Sequence, residues 1–227
     1  SSDKKELSFD YDGALLMIQL DKEYKRTDQY SIYIEYVASP AATGGSEAIT
    51  SNQGLFFINP RNEEPGKPQQ IWTQGETEWN SRWFPTIDKP NERCTQEVFI
   101  TVEDRFLTLS NGLMVNSTNN NDGTRTDQWK MDQPHAPYLF MLAIGEFARV
   151  EDQWNDIVVD YYVEPEYKED ARAIFAHTVE MLDFFSDKLG VAYPWPKYSQ
   201  VVVRDYVSGA MENTSAVIFG DFVQRKK

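Results

Sequence analysis

Near the C-terminal end of the sequence, Gly209-Ala210-Met211-Glu212-Asn213 sets a carboxylate in a run led by two residues with little or no side chain. Such residues leave the main chain open to close approach by an extended ligand, so the run pairs a negative charge with accessible backbone. Other groups that could do chemistry give weaker patterns. Cys94 is the only cysteine, which excludes an intramolecular disulfide and a multi-thiolate zinc site and reads as a small buried residue. The only histidines are His135, in a Pro-flanked segment, and His177, within a helical pattern. Neither has a second histidine at ligand spacing, and both read as structural. Glu6, Asp10, Asp12 and Asp21 do not have the spacing of a calcium loop.

The elements that must position the 209–213 run follow from periodicity. Up to about residue 163 the chain reads mostly as strands. Tyr30, Ile32, Ile34 and Tyr36 alternate with Ser31, Tyr33 and Glu35, the period of a half-buried strand. Short apolar runs follow at 55–58, 98–102, 128–131, 138–144 and 157–163, separated by turn-rich stretches at 39–46, 59–68 and Asn119-Asn120-Asn121-Asp122-Gly123. Pro165 then suits a first helical turn, and Ile174, Thr178, Leu182, Phe185 and Leu189 fall at helical spacing until Gly190. Strands are expected again at 200–206 and 216–219, which places Glu212 on or beside a sheet edge. A domain boundary is expected at 151–156.

Composition narrows the partners. A hydrophobic content of 41% with Trp 6, Tyr 12 and Phe 13 in 227 residues is ample for a packed core. The formal charge of −14 argues against nucleic acid, whose phosphates require clustered Lys and Arg. No run approaches the roughly 20 apolar residues of a membrane span. Ser1-Ser2-Asp3-Lys4-Lys5 is not followed by a signal-peptide core. A leader removed earlier is compatible with this, so the compartment is open between cytoplasm and export, as is the oligomeric state.

The pentapeptide resembles the G-A-M-E-N exopeptidase signature of the gluzincin zinc aminopeptidases, the family of aminopeptidase N and leukotriene A4 hydrolase. Further segments resemble the same family in the same order: Trp72-Thr73-Gln74-Gly75-Glu76, Arg82-Trp83-Phe84-Pro85 with Asp88-Lys89-Pro90, Leu109-Ser110-Asn111-Gly112, Tyr138-Leu139 through Gly145-Glu146-Phe147, and Pro194-Trp195-Pro196-Lys197-Tyr198. The resemblance covers roughly residues 54–222.

It implies a mostly β chain: an antiparallel β saddle domain over 1–153, incomplete at its start, then the first helix and strands of a thermolysin-like α/β catalytic domain over 154–227. The implied substrates are peptides with a free N-terminus. Glu212 and Glu76 would grip the substrate ammonium, with Gln74 adding an amide to the first residue's pocket. Gly209 and Ala210 would hold the substrate main chain like an added strand, and Met211 and Asn213 would support the turn. Two unit charges about 4 Å apart interact by roughly 4 kcal/mol at an effective dielectric near 20, before desolvation. An internal peptide bond offers no such partner and would leave the carboxylates unpaired. The family's Zn2+ sits on H-E-x-x-H and a distal glutamate. The sequence has no H-E-x-x-H, so no metal ligand or catalytic residue is assigned here. The chain is expected to be an N-terminal portion of such an enzyme, inert and free of zinc alone. A non-catalytic peptide-binding module and a purely structural saddle are the alternatives.

Overall fold

A computed structural model of the chain describes residues 5–39 and 54–226. By its internal contacts the chain divides into two units, Ser1–Tyr36 and Val37–Lys227. In the first, β1 (Phe9–Tyr11) and β2 (Leu16–Ile18) form an antiparallel hairpin. The strand expected around Tyr30–Tyr36 is absent; these residues are described and lie outside any strand. Tyr30, Tyr33 and Tyr36 are each at least half exposed, so both phases of the alternation face solvent and neither supplies the buried face that would stabilise a strand. The turn expected at 39–46 falls, beyond residue 39, outside the described residues.

The second unit carries β3 (Leu55–Ile58), β4 (Gln70–Thr73), β5 (Cys94–Glu103), β6 (Leu107–Ser110), β7 (Leu113–Asn119), β8 (Thr124–His135), β9 (Leu142–Gly145), β10 (Ala148–Trp154) and β11 (Ile157–Val163). There follow α1 (Ala171–Ile174), α2 (Thr178–Leu189), β12 (Lys197–Val203), β13 (Ala210–Met211) and β14 (Ala216–Gly220). The chain is mostly β, as expected. β3, β4, β9 and β6 form one antiparallel sheet in that order, and β5, β8 and β7 form a second. The Asn119–Gly123 turn joins β7 to β8, with Asn121 at φ 61° and Gly123 at φ 87°.

The third sheet runs β10-β11-β12-β14-β13. Its β11–β12 and β12–β14 pairs are parallel, which requires a crossover, and the helices between β11 and β12 supply one of the two. The stretch 151–156, where a boundary is expected, takes in the second half of β10 and the turn to β11, within a hairpin whose strands pair from Ala148↔Val163 to Trp154↔Ile157. Alternation assigns the two faces of this sheet. Val159, Tyr161, Val163 and Val202 pack with Phe175 and Leu182 on the helical side. Tyr162, Val201, Val203 and Ile218 join the core around Trp72, Leu109, Trp129 and Met141 on the other. One sheet face is thus cemented to the antiparallel layer that carries Gln74 and Glu76.

The helix expected from Pro165 to Gly190 is in three pieces. A 3-10 segment, Pro165–Asp170, leads into α1, and α2 begins after a break at Phe175–His177. Phe175 turns into the core and stacks on Tyr161 with ring centroids 5.0 Å apart, while the Thr178 hydroxyl donates to Gln200 Oε1 at 2.6 Å. These side chains set the break. Gly190 closes α2 in the left-handed region at φ 65°. Phe185 and Leu189, expected on the buried stripe, are exposed, so the buried face narrows to Thr178 and Leu182. Two strand bounds also shift: Pro137–Leu139 is a 3-10 turn ahead of β9, and β12 starts at Lys197, three residues before the expected 200.

Candidate functional site

Among the described residues β13 is an edge strand, paired only with β14 through Ala210↔Phe219 and Met211↔Ile218, and none of them pairs with its other edge. Such an edge can accept an added strand. The Gly220 N–H donates to the Gly209 carbonyl at 3.1 Å and extends the ladder by one residue. A Cβ built at Gly209 would meet nothing within 4 Å, so glycine there leaves free space beside the strand. Met211 is buried, Glu212 emerges into solvent, and Asn213 is buried again. The segment after Glu212 is a tight turn: Ala216 N–H donates to the Asn213 carbonyl at 3.1 Å, and Ser215 sits at φ 65°.

The partner segment leaves β4. Gln74 is buried at the end of that strand, with its N–H donating to the Gly54 carbonyl at 2.9 Å. Glu76 lies exposed two residues on, and its peptide bond to Thr77 is cis. Between them, Gly75 is obligatory. A Cβ there would lie 2.4 Å from Asn80 Nδ2 and 2.6 Å from the Tyr138 carbonyl. Asn80 is itself fully buried and donates to the Pro137 and Phe140 carbonyls, which fixes the loop beyond Glu76.

The two segments meet. Gln74 Nε2 contacts Met211 Sδ at 3.7 Å, and the buried Tyr206 hydroxyl donates to Gln74 Oε1 at 2.5 Å. The Tyr206 phenol is pushed well above its ordinary pKa by burial, then by the negative charges of Glu212 and Glu76. One hydroxyl therefore feels both carboxylates. Tyr206 is in turn held edge-on against Trp72, with centroids 5.0 Å apart. Trp72 Nε1 donates to the Arg204 carbonyl at 3.0 Å, and Arg204 N–H donates to Gln70 Oε1 at 2.8 Å.

A second set of contacts fixes the turn after Glu212. Asn111 is fully buried and donates to the Thr214 and Leu139 carbonyls, and its Oδ1 accepts from Met141 N–H. Gly112 N–H donates to Ser215 Oγ at 2.8 Å. The Lys197 ammonium is buried, donates to the Ser110 and Ser215 carbonyls at 2.9 and 3.1 Å, and lies 5.3 Å from the centre of the Trp129 ring. Burial lowers its pKa to about 7, with the attraction of Asp160 acting against that shift and Arg149 adding to it. Asn213 Oδ1 and Thr214 Oγ1 are buried without a hydrogen-bond partner among the described residues.

The structure thus brings Gln74 against Met211, with the exposed Glu76 and Glu212 close to them in sequence, Gly209 and Ala210 on the adjoining edge and Asn213 in the turn. Sequence reasoning assigned no role to Tyr206, Asn111 or Lys197. Asn111 and Lys197 lay in segments of family resemblance, and that was their only signal; Tyr206 was the last residue of the strand expected at 200–206.

The donors for a metal do not fit a zinc site. Among the described residues no three His, Cys, Asp or Glu side chains group together. His177 is on the surface, paired with Glu180. His135 is buried edge-on against Phe140, and its pKa falls to about 4 through burial and the nearby Arg93 charge. No reaction step is derived through a metal in these residues.

Comparison with known proteins identifies the family of the chain. The family model for the Peptidase M1 N-terminal domain matches residues 1–139, upstream of 54 where the motif resemblance begins. That for the Peptidase family M1 domain matches residues 174–223. The chain is 24% identical over 208 residues to glutamyl aminopeptidase of Homo sapiens, covering 87% of this chain and 22% of that protein. It is 26% identical over 185 residues to endoplasmic reticulum aminopeptidase 1 of Mus musculus, covering 81% and 19%. It is 27% identical over 187 residues to aminopeptidase N of Streptomyces lividans, covering 78% and 20%. The chain spans about a fifth of the length of these relatives.

Proposed function

The chain belongs to peptidase family M1, and from that premise we propose that it is the amine-recognising part of a zinc metallo-aminopeptidase that releases N-terminal amino acids from peptides. Residues 1–153 correspond to the family's β saddle, incomplete at its start, and residues 154–227 to the start of its thermolysin-like domain. Zinc and the groups that activate water belong to polypeptide outside these residues. Glu212 and Glu76 accept hydrogen bonds from the substrate ammonium, and Gln74 lines the first residue's pocket. Gly209 and Ala210 pair with the substrate main chain along the open edge of β13. Met211 and Asn213 hold the turn that presents Glu212.

The observation that carries this reading is the meeting of two distant segments at Gln74, two residues before Glu76: its amide contacts Sδ of Met211, the residue before Glu212, at 3.7 Å and accepts from the Tyr206 hydroxyl at 2.5 Å. A pair of carboxylates at a strand edge attracts a cationic chain start, repels an anionic one and is left without a charge partner by an uncharged one. The test uses the full-length protein that carries these residues. It should release the first residue of peptides in a zinc-dependent way, and Glu212→Gln should lower kcat/KM for free N-terminal substrates by about 2 kcal/mol or more. Unchanged kinetics in that variant would reject the anchor role.

A further inference from the structure

The amide of Gln74 has a defined polarity, and Tyr206 sets it. The phenol is buried, its pKa is raised, and it therefore remains an O–H donor through the physiological range. Its hydroxyl occupies Gln74 Oε1 at 2.5 Å, which turns Nε2 towards Met211 Sδ at 3.7 Å. The reverse orientation would put a carbonyl oxygen against an electron-rich sulfur and make the phenol accept from the amide. A thioether is a weak acceptor, and an amide nitrogen has two N–H groups, so Met211 leaves donor capacity at Gln74 uncommitted. The phenol cannot swing away: Trp72 packs on its ring, and two residues upstream Arg204 is tied to Gln70, Trp72 and Glu164.

The geometry points to Tyr206 as a specificity-determining positioning residue that makes Gln74 a hydrogen-bond donor, so that the pocket selects first residues whose side chains carry a neutral oxygen acceptor. This rests on the amine-anchor reading above and adds a division of labour to it. The ammonium needs acceptors, and Glu212 and Glu76 are acceptors only. Gln74, with its carbonyl taken by Tyr206, serves the opposite need. A neutral amide such as a first-residue glutamine satisfies it, whereas an acidic side chain would enter the field of both carboxylates and be repelled. An apolar side chain of the same length leaves the buried Gln74 N–H unpaired, and that is the source of discrimination.

The experiment compares glutaminyl- and norleucyl-4-nitroanilide, similar in length and differing in the acceptor, on the full-length protein. The native protein should favour the glutaminyl substrate in kcat/KM. Tyr206→Phe frees the amide to rotate, and the preference should fall by about tenfold, the scale of one hydrogen bond. A preference that survives Tyr206→Phe, or a loss equal for both substrates, overturns the proposal. Should thermal melting show Tyr206→Phe to be unfolded, Gln74→Leu takes its place and must abolish the same preference; a preference retained there overturns the proposal equally. Glu212→Gln serves as the separate arm. If it weakens both substrates alike while the Tyr206→Phe ratio does not move, the polarity proposal fails and the anchor stands. If it weakens neither, the anchor itself fails.

Discussion

Asn111 Nδ2 donates to the Thr214 carbonyl at 2.7 Å, a bond between residues 103 apart that joins the turn after β6 to the turn after Glu212. The same side chain donates to the Leu139 carbonyl and accepts from Met141 N–H, so it bridges three segments with no access to solvent. Asn111→Ala would orphan several buried polar groups, each costing about 1–3 kcal/mol. Urea denaturation should show a loss of about 2–4 kcal/mol. A loss under about 0.5 kcal/mol would mean that the turn bearing Glu212 is held by something else.

Lys197 gives a pH signature. Its folded pKa is lowered to about 7 from 10.5 by burial. Between these values the unfolded chain binds a proton that the folded chain does not, so stability rises with pH across the window, by at most about 1.4 kcal/mol per pH unit. Below pH 7 the charge is present in both states and the burial penalty is felt in full. Asp160 opposes the shift and Arg149 reinforces it, the charged groups that face the ammonium from the neighbouring strands. Native protein should therefore gain stability relative to Lys197→Met between about pH 7 and pH 10 when both are denatured in urea. A difference that stays constant with pH would contradict this.

Arg204 and Glu164 form an ion pair with a bond of 2.8 Å from Nη2 to Oε2, and the Glu164 side chain is only 7% exposed. Removing one partner of such a pair leaves a buried charge, which costs about 3–5 kcal/mol. Arg204→Ala should fall in that range by chemical denaturation, and Glu164→Gln should cost less because the amide can still accept from the guanidinium. Equal and negligible costs would show that solvent screens the pair.

The sequence disclosed some of this fold and site, for physical reasons that can be named. β11 was legible to the residue because Ile157–Val163 is β-branched or aromatic at every position but Asp160 and is bounded by turn residues. The 30–36 stretch had a clean period but no buried face, and period without burial makes no strand. Helical spacing from 174 to 189 concealed a break, because Phe175 is recruited by Tyr161, a contact no local pattern encodes. At the site, family resemblance picked out Gln74, Glu76 and Glu212, yet the contact of Gln74 with Met211 depends on the packing of the sheet that carries β13 against β4. Tyr206 was silent, and Lys197 lay in a family-like segment with nothing local to set it apart from a surface lysine. Only tertiary burial distinguishes them.

The central claim is that Glu76 and Glu212 act on one ammonium. A double-mutant cycle with Glu76→Gln and Glu212→Gln, read as kcat/KM on a peptide substrate with a free N-terminus, tests it most directly. The account predicts strong coupling: each single variant loses most of the discrimination against the N-acetylated peptide, and the double variant loses little more. Independent, additive losses that leave discrimination against the acetylated peptide intact would contradict it.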